Sequence, residues 1–267
     1  GAGKFIYSGD AAAETQQIAN LKYYDLTLLG GSTKLFDQAI VANEMIIGDG
    51  DISRLMYTHV IFSDGIRTYD SANPAGSQIN MLTVKAGGSA RLNGVMGADD
   101  LRATDLTATN FILERGSEII YGRIGDQIMA PEFTYSILTI DGSGVKSFVN
   151  AALTANRVNI VSDATLDVDG ALTVTPYLVN DAQIIDGGLV FVDADGNATA
   201  GTLMISGTLN AAYFTAGNGT VIYYGSADQL VTDFGETQAY NNLVLRGGNK
   251  SSALFDAAGK STLGNLY

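Results

Sequence analysis

The chain has 267 residues, with 32 Gly, 3 Pro, no Cys, no Trp and one His, and its 28 Asp plus Glu against 15 Lys plus Arg leave a formal net charge of −13. Without Cys there are no disulfides, thiol nucleophiles or zinc knuckles. A lone His59 precludes His-rich metal sites, and no apolar run reaches the ~18 residues of a membrane helix. The acidic balance argues against nucleic acid, whose phosphates require a Lys/Arg surface.

From its first residues, Gly1-Ala2-Gly3-Lys4, the chain passes directly into strand-like sequence with no signal peptide. That is the expectation for a chain whose leader has been removed or for a segment of something longer. The stretch from Asp10 to Asn20 contains good helix formers but no apolar stripe, so it reads as a loop with a short helical turn. Thereafter the pattern has period two in short segments. Asp25 to Leu28, Leu82 to Val84, Ser136 to Ile140 and Arg157 to Val161 come first. Ala171 to Val174, Gly188 to Val192, Thr202 to Ile205, Val221 to Tyr223 and Asn242 to Leu245 follow. Each puts aliphatic or β-branched side chains on one face with Thr, Asn or Asp between them, and Gly, Asn and Asp supply the turns. The chain reads as all-β.

Strand pairing is the next question. Asn93-Gly94, Asp141-Gly142 and Asn218-Gly219 are hairpin-type dipeptides, but the runs flanking them are short. Apolar strand centres recur instead at Leu26, Ile46, Ile66, Leu82, Ile119, Leu138, Val158, Val190, Leu203, Val221, Leu243 and Leu263. A spacing of roughly 20 to 25 residues is that of one coil in a solenoid. Roughly a dozen irregular coils, each about 4.8 Å above the last, are expected. Leu26, Leu28, Leu82, Val84, Val158, Ile160, Leu172, Val174, Leu203, Ile205, Leu243 and Leu245 are predicted to point inward and stack in columns.

A longer repeat overlays this period. Gly3-Lys4-Phe5-Ile6-Tyr7-Ser8-Gly9 matches Gly219-Thr220-Val221-Ile222-Tyr223-Tyr224-Gly225. Tyr23 to Gly31 (YYDLTLLGG) matches Tyr240 to Gly248 (YNNLVLRGG), and Leu35-Phe36-Asp37 matches Leu254-Phe255-Asp256. The chain is therefore read as a single domain, 1–267, whose repeat unit starts near 3 and restarts near 219.

These blocks carry a resemblance. The pattern G-x-h-x-Y-x-G, then Q, then Y-[YN]-[DN]-L-x-L-x-G-G resembles repeats of very large secreted bacterial surface proteins, grouped with autotransporter-passenger and filamentous-haemagglutinin-like adhesins. The match covers Gly3 to Asp37 and Gly219 to Asp256. It implies a right-handed parallel β-helix, an extracellular or cell-surface location, a scaffold or adhesive role and no catalytic centre. A rod of this kind has sheet edges only at its ends, so end-to-end self-association or continuation into a longer chain is expected. A carbohydrate or cell-surface receptor is the other expected partner.

Few residues suggest chemistry. Asp193, Asp195 and Asn197 place oxygens at alternate positions around Gly196, the first half of a calcium loop, but Met204 stands where an EF-hand would need Glu. The same residues suit a polar turn. No other cofactor is expected. Asp49-Gly50-Asp51 and Asp167-Val168-Asp169-Gly170 read as turns. His59 would be the base of any triad, yet the sequence names no nucleophile to pair with it. A polysaccharide lyase or hydrolase on the same scaffold is the enzymatic alternative, with Arg54, Asp64, Arg67 and Asp70 close enough in sequence to share a face. Thirteen Tyr and ten Phe would form either a sugar-stacking surface or an aromatic core. An outer-membrane barrel fails on pattern, since the strands fall short of the ~9–11 residues a span requires.

Overall fold

Residues that alternate in character every second position have one side chain to bury and one to expose. In the computed structural model such residues form short strands that pair in parallel with strands further along the chain. The structure describes residues 3–9, 14–51, 58–73, 76–130, 133–149, 152–179, 183–185, 188–193, 195–234, 238–252 and 265–266. Among them there is no helix, and hence none long and apolar enough to cross a membrane. The sheets are long, many-stranded and overwhelmingly parallel, an arrangement consistent with a β-solenoid. Two compact units divide the chain, one formed by Gly1–Arg123 with Gln127–Ile137 and the other by Ile124–Asp126 with Leu138–Tyr267.

In the first unit, one sheet stacks Lys4–Ser8, Lys22–Leu29, Ile40–Ile47, Gln78–Val84 and Phe111–Leu113 in that order. The register aligns Phe5, Leu26, Met45, Leu82 and Phe111 in one column and Tyr7, Leu28, Ile47, Val84 and Leu113 in another. A second sheet runs through Thr15–Gln17, Thr33–Phe36, Thr58–Phe62, Gly88–Leu92 and Glu118–Tyr121. Its inner columns are Lys34, Val60, Ala90, Ile119 and, two positions on, Phe36, Phe62, Leu92, Tyr121. All of these second-sheet column residues are buried. Burying one such apolar side chain is worth roughly 1.5–3 kcal/mol, so columns of this kind supply a core without cross-links.

The second unit is built the same way. Val145–Phe148, Thr165–Val168, Thr202–Ile205, Thr220–Tyr223, Asn242–Leu245 and Asn265–Leu266 stack in parallel. Lys146, Leu166, Leu203, Val221, Leu243 and Leu266 share one column. Leu153, Leu172 and Leu209 form another on Ala152–Ile160, Ala171–Val174 and Leu209–Ala211. Further along the same long strand, Val158 aligns with Leu189 and then Phe214.

Of the twelve positions predicted to point inward, eleven are buried and Leu245 is half-buried. Three details differ from the sequence reading. In Ile40–Ile47 it is Met45 and Ile47 that are buried, while Ile46 faces outward, because the apolar run Met45-Ile46-Ile47 fits either phase of a period-two pattern. The predicted loop over Asp10 to Asn20 contains no helical turn among its described residues and holds the strand Thr15–Gln17, which pairs with Thr33–Phe36. Tyr177–Val179 and Gln183–Ile185 pair antiparallel, a hairpin inserted between parallel rungs. Leu263, Leu254, Phe255 and Asp256 lie outside the described residues.

Candidate functional site

The most repeated arrangement of polar groups is a clasp of two tyrosines closing on one backbone residue. In the first instance the hydroxyls of Tyr7 and Tyr23 are 2.8 Å apart, Ala19 N–H donates to Tyr7, and the Tyr23 hydroxyl donates to the Ala19 carbonyl. Tyr223 and Tyr240 repeat it at 2.9 Å around Thr232. A third instance, which the sequence reading missed, pairs Tyr121 with Tyr135 at 2.9 Å around Ala130. Part of its signal was present: Tyr135-Ser136-Ile137-Leu138-Thr139-Ile140-Asp141-Gly142 parallels Tyr23 to Gly30, although in Gly116 to Gly122 (GSEIIYG) Tyr121 stands one residue before the glycine, where Tyr7 and Tyr223 stand two before it.

In the first and last copies a Gln and a Lys accompany the clasp. Gln16 is in register with Lys34, and Gln229 with Lys250. Gln127 donates to the carbonyls of Leu92 and Gly94, as Gln229 does to those of Ile205 and Gly207. Lys34 and Lys146 are fully buried. Lys34 donates to the carbonyls of Gly30 and Ser32, Lys146 to those of Gly125 and Ser143, and Lys250 to those of Gly225 and Gly248. Each ammonium ties turn carbonyls together, and two of these, at Ser143 and Gly225, also accept a backbone N–H. Burial holds the tyrosine hydroxyls in their neutral form: Tyr121 is pushed up to about 12, and Tyr135 and Tyr240 are also raised.

Most of the residues singled out for chemistry are taken up by local structural bonds. Asp193 Oδ1 accepts the backbone N–H groups of Asp195 and Asn197, and Oδ2 accepts the Asn197 side-chain amide. These bonds, the Asn197 side chain first, hold its carboxyl below the usual carboxylate range. The carboxylate thus closes its own turn, and the described residues contain no grouping of three or more acids or His suited to a metal ion.

His59 lies half-buried on Thr58–Phe62, in register with Thr33 and Ser89. The Ser89 hydroxyl, however, donates to Glu118 at 2.9 Å in a buried bond, rather than to the imidazole. Arg67 donates to the Met96 carbonyl, and Asp70 caps its own turn through Ala72 N–H. Asp64 faces Asp37, and its carboxyl is raised by burial and by the charge and hydrogen bond of that neighbour. Arg54 lies outside the described residues.

A concave site lies in the second unit, a cleft of about 700 Å³ lined by Arg157, Val190, Tyr213, Thr215, Gln238 and Asn241 together with backbone at Gly188, Gly196 and Gly217. The rungs that form it bury Val158, Leu189 and Phe214 in one column. Alternation therefore turns the preceding residues, Arg157, Gly188 and Tyr213, outward in a second column. Gly188, between Arg157 and Tyr213 in this column, contributes no side chain and is itself buried. Gln238 forms part of the wall and accepts Phe214 N–H through its Oε1 at 2.6 Å.

No protein-family model matches the chain, and neither a curated protein nor a solved structure does.

Proposed function

We propose that the chain is a structural and adhesive module, non-enzymatic, of a secreted or cell-surface bacterial protein of the adhesin-repeat kind. It would be a right-handed parallel β-helix of roughly a dozen irregular coils, the hand that parallel crossovers adopt almost without exception. The observation that carries this reading is the threefold recurrence of the tyrosine clasp. Three copies of one device, each spent on closing backbone turns, are what a reiterated scaffold requires. Lys4–Ser8 pairs on one side with Lys22–Leu29 and exposes Phe5 and Ile6, an apolar edge on which a further rung can be laid.

Negative-stain electron microscopy and sedimentation of the purified chain test the reading. Fibres or end-to-end oligomers are expected, and Ile6→Lys should shorten or abolish them by placing a charge on the edge. Monomers at every concentration would count against end-to-end stacking. Release of reducing sugars or unsaturated products from acidic glycans would replace the reading with the polysaccharide-active alternative.

A further inference from the structure

We infer that the cleft around Gly188 is a binding site for an acidic saccharide, with a sugar carboxylate held by Arg157 and a sugar ring set against Tyr213. This rests on the adhesive half of the proposed function and gives it a location and a ligand class.

The inference starts from spacing. Arg157 and Tyr213 occupy the same outward column two rungs apart, with Gly188 on the rung between them. Neighbouring strands lie about 4.8 Å apart, so two rungs place the backbones of Arg157 and Tyr213 roughly 10 Å apart along the sheet, with no side chain on the rung between them. A Cβ at Gly188 would come within 3.0 Å of the Tyr213 carbonyl oxygen and 3.1 Å of its Cβ, so any side chain there would push against the Tyr213 rung.

The walls have matching chemistry. Arg157 Nε donates to Asn159 Oδ1 at 2.7 Å, which fixes the plane of the guanidinium and leaves its terminal nitrogens to receive a carboxylate. Among the described lining residues Arg157 is the one charged side chain, a cation in a chain of net charge −13. Tyr213 is 47 % exposed, a large ring left in water beside a concavity, as an amphipathic stacking platform would be. Gln238, oriented by its bond to Phe214 N–H, keeps its amide N–H₂ as a donor for sugar hydroxyls, and Asn241 adds a second amide. Apolar surface with a few convergent polar groups is the general form of a small-ligand site, and this cleft lies towards its polar end.

Calorimetry with trigalacturonic acid and with its fully methyl-esterified form provides the test, because the two differ only in the charge that Arg157 would read. The acid should bind in the micromolar to millimolar range typical of roughly −8 to −4 kcal/mol, and the ester at least tenfold more weakly. Arg157→Gln should remove the difference between acid and ester, whereas Tyr213→Ala should weaken both. Equal binding of acid and ester, or no binding of either at about 10 mM, a concentration at which such weak sites saturate, would overturn the inference. The comparison of acid with ester on the unaltered chain decides the matter even if a variant fails to fold. Fibres without saccharide binding would leave the scaffold reading intact and sink this one.

Discussion

The hydroxyls of Tyr121 and Tyr135 meet at 2.9 Å inside the protein, and both serve the same residue: Ala130 N–H donates to Tyr121 while Tyr135 donates to the Ala130 carbonyl. One peptide residue between rungs thus has both its polar groups satisfied by two phenols.

Removing one hydroxyl leaves the others buried without their partner. Tyr135→Phe should cost about 1–3 kcal/mol in urea unfolding, the usual penalty for orphaning buried polar groups. Because the two hydroxyls share one network, the Tyr121→Phe/Tyr135→Phe double variant should lose less than the sum of the single losses. Strict additivity would show that the clasp contributes only packing.

Alkaline pH probes the same groups. Burial raises Tyr121 to about 12 and lifts Tyr135 and Tyr240 as well, above the ordinary value near 10. Above pH ~10 the unfolded chain gives up these protons while the folded chain keeps them, so stability is complete below that pH and falls as pH rises towards the folded values. Each tyrosine so held contributes a slope of up to about 1.4 kcal/mol per pH unit. The last part of the tyrosinate absorbance, from the clasp tyrosines, should therefore appear together with the loss of circular dichroism in one cooperative alkaline transition. Complete tyrosinate formation with the fold intact would contradict burial of the clasps.

The buried lysines make a sharper case. Lys34→Met retains an unbranched stem of similar bulk but strands the carbonyls of Gly30 and Ser32. A loss of about 1–3 kcal/mol is expected, with a similar loss for Lys146→Met. If methionine is tolerated without loss, the ammonium groups do not hold the turns.

Gly30 and Gly196 both sit at φ of 81°, which an L-residue adopts only at a cost. A Cβ on Gly30 would approach the Gly9 carbonyl oxygen to 2.3 Å, whereas around Gly196 nothing lies within 4 Å. Gly196→Ala should therefore cost about 1–2 kcal/mol, the dihedral penalty alone. Gly30→Ala should cost more than about 4 kcal/mol, because it also pushes adjacent rungs apart. Equal thermal shifts in the two variants would mean that the rungs at Gly9 and Gly30 are not in close contact.

Much of the fold was legible because burial in a half-exposed strand writes itself as alternation: Leu172 and Val174 fall on one face with Thr173 between them, as Leu153 and Ala155 do around Thr154. Parallel stacking was legible from spacing. Where every residue is apolar, as at Met45-Ile46-Ile47, alternation carries no phase, and only the neighbouring rungs decide it. Lys34 and Lys146 were illegible for the opposite reason. A Lys reads as a solvated residue, yet here turn carbonyls replace water around the ammonium, and only tertiary structure brings those carbonyls together. The cleft at Gly188 depends on three residues far apart in sequence sharing one outward column, which no local pattern encodes.

The hairpin of Tyr177–Val179 and Gln183–Ile185 emerges between rungs whose Leu172 and Leu209 remain in register. Excursions of this kind do not disturb the interior, since every column is specified only by residues that return to it. Ancestral duplication or trimming of such excursions can thus diversify the exterior while the hydrophobic stack is inherited unchanged.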